Sequence, residues 1–137
     1  MFGNLSEKAL RTLFMARSLS LESGGSEISP GLILLALIVQ EGALFRDLFD
    51  TEAFPQGFES YVKSFAPAGT LYDPGNVPLS VESKDVLILA QSLSSSRNSE
   101  TDNKHLFLAI LQKKPGILKL LSENGFSYEA LEVKLLK

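Results

Sequence analysis

The sequence predicts an all-α fold: two tandem four-helix repeats related by pseudo-twofold symmetry. Three observations carry that expectation. The chain matches itself when slid by 74 positions, its apolar residues recur at intervals of three and four, and Ser, Pro and Gly punctuate it where helices must start and stop. The slide lays Leu5-Ser6 on Leu79-Ser80, Leu13 on Leu87, Ala16 on Ala90 and Ser18-Leu19-Ser20 on Ser92-Leu93-Ser94, so seven of eighteen aligned pairs are identical. Average residue usage gives roughly one identity over such a window. After one residue is dropped from the loop, Leu34-Leu35-Ala36-Leu37-Ile38 falls on Phe107-Leu108-Ala109-Ile110-Leu111.

The first helix of each repeat shows helical rather than strand periodicity. Leu10, Leu13, Phe14, Arg17 and Leu21 form one stripe and Val86, Leu89, Ala90 and Leu93 the other, and both are expected to face a core, with Leu13 and Leu87 buried alike. Ser6 is a candidate N-cap. Gly24-Gly25 separates the first helix from the second, which Ser29 caps and Pro30 opens at its first position. The apolar run Leu32 to Val39 lacks a polar face, which makes it a buried core helix rather than a membrane-surface or partner-binding one.

A third helix starts near Gly42 with Leu44, Phe45 and Leu48, and its counterpart near Pro115 carries Ile117, Leu118 and Leu121 before Asn124-Gly125 ends it. The fourth starts by Pro55 with Phe58, Tyr61, Val62 and Phe65 in register. Ser127 caps its counterpart, which runs through Leu131, Leu135 and Leu136, giving eight helices. Between the repeats, residues 66–78 hold Pro67, Gly69, Pro74, Gly75 and Pro78, a composition that opposes helix continuation and strand pairing. The expected organisation is therefore one domain over 1–137: repeat one 1–65, linker 66–78, repeat two 79–137. Ser92 to Ser99 falls where the repeat places a loop and is expected to be a solvated turn. Phe45, Phe49, Phe54 and Phe58 gather around the third and fourth helices, either as core or as an exposed aromatic patch.

Composition narrows the function. At 137 residues and 45% hydrophobic the chain is long enough to bury a core unaided. It has no cysteine, which removes disulfides, thiolate metal sites and a cysteine nucleophile. Its formal charge of -3 comes without a block of one sign, so nucleic acid is not an expected partner. The start lacks the basic-then-apolar pattern of a secretory signal, and no apolar run approaches the ~20 residues that span a bilayer. The expectation is a soluble, cytoplasmic protein without membrane attachment.

These residues resemble a known family. Leu5-Ser6-Glu7-Lys8-Ala9 and Leu79-Ser80, each followed by a loop and a Leu-rich second helix with Leu-Ala-Leu or Leu-Ala-Ile, resemble the N-terminal repeat domain of Clp ATPases over nearly the whole chain. The opening Met1-Phe2-Gly3 is similar to the start of the C-type members, and Lys104-His105-Leu106-Phe107-Leu108-Ala109 resembles the family's Glu-His-Leu-Leu-Leu-Ala signature. The resemblance implies an eight-helix, non-catalytic module that needs no cofactor and docks substrates or adaptor proteins in front of an ATP-driven unfoldase. Its implied partners are Clp ATPase or protease subunits, adaptors and unfolded polypeptide clients. The chain contains no Gly-x-x-x-x-Gly-Lys-Ser/Thr phosphate loop, so it reads either as a domain of a longer ATPase or as a stand-alone accessory subunit that stabilises or regulates a Clp protease core.

The C-type family uses a glutamate before the signature histidine of each repeat to grip phosphoarginine. Gly31 and Lys104 stand at those positions here. Glycine offers no side chain and lysine repels a guanidinium, so phosphoarginine binding is not carried over. Ser6 and Ser80 match the family's hydroxyl residues, and Phe2, Leu79 and Lys84 fall where related domains present a ligand-facing or adaptor-facing surface. The candidate partner-binding set is therefore Phe2, Ser6, Gly31, Leu79, Ser80, Lys84 and Lys104.

His105 is the single histidine, which excludes a multi-histidine metal site. It aligns with Leu32, near the start of a half-buried helix, where a local hydrogen bond explains it better than a role in a small hydrolase. No Gly-x-Ser-x-Gly elbow and no close carboxylate pair supports bond-breaking chemistry.

Overall fold

The computed structural model describes residues 4–22, 27–49, 78–96 and 99–136. Among them are seven helices and no strand: α1 (Glu7–Glu22), α2 (Pro30–Gln40), α3 (Gly42–Leu48), α4 (Val81–Ser95), α5 (Asn103–Lys113), α6 (Pro115–Glu123) and α7 (Tyr128–Leu136). The helix expected from Pro55 to Phe65, together with Phe2, Gly24-Gly25 and residues 66–77, lies outside the described residues.

Helix starts follow local chemistry. The Ser6, Ser29, Ser80 and Ser127 hydroxyls accept the main-chain N–H groups of Ala9, Leu32, Ser83 and Ala130 at 3.1–3.2 Å, satisfying donors that the first helical turn leaves without partners. At the other end of α6, Gly125 takes φ 89°. Its N–H reaches the Ser122 carbonyl and the Phe126 N–H reaches Leu121, the paired bonds of a Schellman stop. That stop aims Phe126 at Phe49, with ring centroids 4.9 Å apart.

Helices α2 and α5 make the centre. α1 packs along α2 and also touches α5, while α4 packs along α5 and also touches α2, so each repeat leans on the other in the same way. Leu32, Ile33, Leu34, Ala36 and Leu37 are buried, as are Leu106 through Leu111. At the periphery, Phe45 meets Phe107 edge-on at 5.0 Å and stacks with Phe49 at 6.1 Å, which assigns both α3-region aromatics to the core. Phe54 and Phe58 lie outside the described residues. Lys134 of α7 donates to the Leu48 carbonyl at 3.1 Å, putting a cation on the negative end of α3.

Two expectations are corrected. The core-facing stripe of α1 is Ala9, Thr12, Ala16 and Ser20, not the large apolar residues; Leu13 and Arg17 are only half-buried, whereas Leu87 is fully buried. The small side chains let α1 approach α2 closely, and packing distance between helices is set by the residues at the contact. α4 uses the equivalent positions Ser83, Val86, Ala90 and Ser94, adding Leu87. The second correction concerns Ser92 to Ser99: the helix continues through Ser95, and Ser94 is buried with its hydroxyl 2.8 Å from that of Thr101.

Candidate interaction surface

The repeats are fastened at two crossings. Extended residues before α1 meet those before α5, where the Ser6 N–H donates to the Thr101 carbonyl and the Thr101 N–H to the Asn4 carbonyl, both at 2.8 Å. Extended residues before α4 meet those before α2 in the same manner: the Ser80 N–H donates to Ile28 at 3.0 Å and the Ile28 N–H to Pro78 at 2.8 Å. The resulting parallel bridges, Leu5 with Thr101 and Ile28 with Leu79, map onto each other under the repeat alignment. They are the pseudo-twofold expressed in backbone hydrogen bonds.

Side chains reinforce both crossings. At the first, the Ser6 hydroxyl donates to Asp102 Oδ1 at 2.7 Å, and the buried Thr12 hydroxyl donates to Asn103 Oδ1 at 2.8 Å, tying α1 to the start of α5. At the second, the Ser83 hydroxyl donates to the Ile28 carbonyl at 2.6 Å and accepts from Ser80 at 3.1 Å. His105 is buried in the first turn of α5, where Nδ1 accepts the Asp102 main-chain N–H at 2.9 Å. The imidazole thus fills the place that Glu or Gln takes in a capping box, the local role expected for it.

The sequence-derived site residues distribute over these crossings. Ser6 and Lys104, both half-buried, belong to the first; Leu79, Ser80 and Gly31 belong to the second, with Lys84 exposed one turn further along α4. Two of the seven are unsuited to meeting a partner. Gly31 is buried in the first turn of α2, and Ser80 is buried because its hydroxyl caps α4 and bonds Ser83. Family position alone does not reveal such internal hydrogen bonding.

The features that sequence reasoning missed are exposed apolar side chains on the outward faces of α1 and α4. Leu10 is 42% and Phe14 66% exposed on α1, and Val81 is 75% and Ile88 60% exposed on α4. Phe14 and Ile88 occupy the same repeat position. A signal was present, because Ala16/Ala90 and Ser20/Ser94 are identical across the repeats and mark the opposite, core-facing side.

Charge around these faces is mostly exposed. Glu7 pairs with Arg11 on α1, and Lys114 pairs with Glu82 at 3.0 Å, linking the junction of α5 and α6 to α4. At the far end, burial raises the Tyr128 phenol above its ordinary pKa, opposed by a hydrogen bond from Gln112 and supported by the nearby Glu132 and Glu129 carboxylates. Among the described residues, no group of three His, Asp or Glu side chains could hold a metal ion, and no helix is long and apolar enough to cross a membrane.

Two helical repeats fastened by paired crossings, with Phe14 and Ile88 exposed at one equivalent position, define an all-α double-repeat fold. The model of the Clp repeat N-terminal domain matches residues 4–124, and the chain belongs to that family. No curated protein matches it. Solved structures share the fold. The Hsp104 N-terminal domain from Candida albicans is 20% identical with a TM-score of 0.76, covering 98% of this chain and 90% of that one. The N-terminal domain of the chaperone ClpD from Arabidopsis thaliana is 16% identical with a TM-score of 0.72, covering 99% and 94%. The N-terminal domain of the ClpV1 ATPase from E. coli is 20% identical with a TM-score of 0.69, covering 96% and 83%.

Proposed function

We propose that this chain is a non-catalytic interaction module that recruits polypeptide substrates or adaptor proteins to a Clp-type ATP-dependent unfoldase or protease. Membership of the Clp repeat N-terminal family is the observation that carries the reading. The structure supports it with Leu10 and Phe14 of α1, large apolar groups left in solvent. His105, the residue most suited to general acid–base work, is buried and engaged with the main chain of Asp102.

The test is affinity capture with the immobilised chain from an extract of its own source, with retained proteins identified by mass spectrometry. Retention of a Clp ATPase, an adaptor or unfolded clients supports recruitment. Retention of protease subunits without any ATPase redirects the reading to an accessory subunit of the protease core. Recovery of none of these contradicts it.

A further inference from the structure

Resting on that reading, we infer that the outward face of α1 docks polypeptide segments whose apolar residues are flanked by aspartate or glutamate, and that the equivalent face of α4 does not. At 100° per residue, Leu10 and Leu21 lie within about 40° of Phe14 around α1, with Arg11 and Arg17 about 60° to either side. Lys8 lies further round on the side of Arg11. Leu10 and Phe14 are exposed, as are Lys8 and Arg11, while Arg17 and Leu21 are half-buried. The apolar strip therefore has cations on both flanks. Glu7 is the acid within it and Glu22 stands at the far end of the helix. The Glu7–Arg11 pair is highly exposed, so the arginine can exchange one carboxylate for another with little loss.

The repeat supplies an internal comparison. Where α1 has Lys8, Arg11, Phe14 and Arg17, α4 has Glu82, Asp85, Ile88 and Gln91. An apolar side chain is kept at the central position, while Lys8 and Arg11 are replaced by acids and Arg17 by a neutral glutamine. Lys84 replaces Leu10 and Ser95 replaces Leu21 while Val81 replaces Glu7, so the apolar strip of α4 is shortened to Val81 and Ile88, and Glu82 is already engaged by Lys114. On a chain of net charge -3, α1 thus presents a locally cationic apolar face, complementary to an acid-flanked apolar segment and repulsive to a lysine-flanked one.

Two fluorescein-labelled peptides of equal length and identical Phe and Leu anchors, one with Glu and the other with Lys at the intervening positions, test this by anisotropy. At low ionic strength the Glu peptide is expected to bind about tenfold more tightly, an advantage that shrinks in high salt. Arg11→Glu is expected to remove the preference, and Phe14→Ser to weaken the Glu peptide about tenfold, while Ile88→Ser leaves it unchanged. All three side chains are exposed, and unchanged thermal melts show that the variants remain folded. Equal binding of both peptides, or a Phe14→Ser variant that binds as the parent does, overturns the inference. So does self-association of the chain that Phe14→Ser abolishes, because a second copy would then be the occupant. Failure of both peptides while Clp partners or clients are still retained removes this inference alone; failure of both together with loss of every such partner removes the recruitment reading first.

Discussion

Ser6 donates its hydroxyl to Asp102 across 2.7 Å, joining the cap of α1 to the residue that precedes α5. The same oxygen accepts the Ala9 N–H, so one side chain serves a local cap and a contact between repeats. Ser6→Ala removes both and is expected to cost about 1–3 kcal/mol in denaturant unfolding, beyond an ordinary cap. A double-mutant cycle with Asp102→Ala should show a coupling of roughly 0.5 kcal/mol or more. Additive losses would mean that the crossing is held by its backbone bonds alone.

Leu13 and Leu87 align in the repeat yet differ in burial. Leu87→Ala is expected to cost about 2–5 kcal/mol and Leu13→Ala clearly less. Phe14→Ser should stay within about 0.5 kcal/mol of the parent. Ala16→Leu, which forces a large side chain between α1 and its neighbours, is expected to destabilise by about 1–3 kcal/mol. Urea midpoints for the four variants check the order, and equal losses at Leu13 and Leu87 would restore the facing expected from the sequence.

That contrast shows where sequence stops being informative. Caps at Ser6, Ser29 and Ser127, the Gly125 stop and the buried run of α2 are local and were legible. The facing of α1 was not. Two stripes with the same spacing run along it, one large and apolar, one small, and which faces inward depends on how closely α2 approaches. The crossings were equally hidden, because Leu5 with Thr101 and Ile28 with Leu79 are long-range pairings in segments without a strand pattern. The candidate surface suffered from both: family position placed Gly31 and Ser80 on it, and packing buries them.

Gly125 offers a clean backbone test. A β-carbon added there meets nothing within 4 Å, so the cost of Gly125→Ala comes from the left-handed φ of 89° rather than from a clash. The expected loss is about 1–2 kcal/mol, with Gly125→Asn losing less. Thermal denaturation of the two variants measures the difference, and a neutral Gly125→Ala would mean that the stop relaxes.

His105 should behave as a cap. His105→Gln keeps an acceptor within reach of the Asp102 N–H and is expected to lose less stability than His105→Ala, which leaves that donor unpaired and opens a cavity in the core. Client binding per folded molecule should be unchanged in both. A variant that folds as the parent but loses binding would give the imidazole a direct functional role.

The alkaline limb of stability carries the mark of Tyr128. Its folded pKa is raised, chiefly by burial, so the unfolded chain releases the phenolic proton first and stability falls as pH rises through about 10. Tyr128→Phe is expected to flatten that limb. Unfolding midpoints collected between neutral pH and the alkaline transition provide the check, and an unchanged slope would mean that the phenol titrates alike in both states.

The central claim, a helical module that holds polypeptides without breaking them, is tested most directly by mixing the purified chain with a permanently unfolded protein and weighing the resulting complex by native mass spectrometry. A saturable complex whose client keeps its full mass after prolonged incubation is expected. A client cut into fragments, or one that never joins the complex under conditions where another Clp N-terminal domain binds it, would contradict that claim.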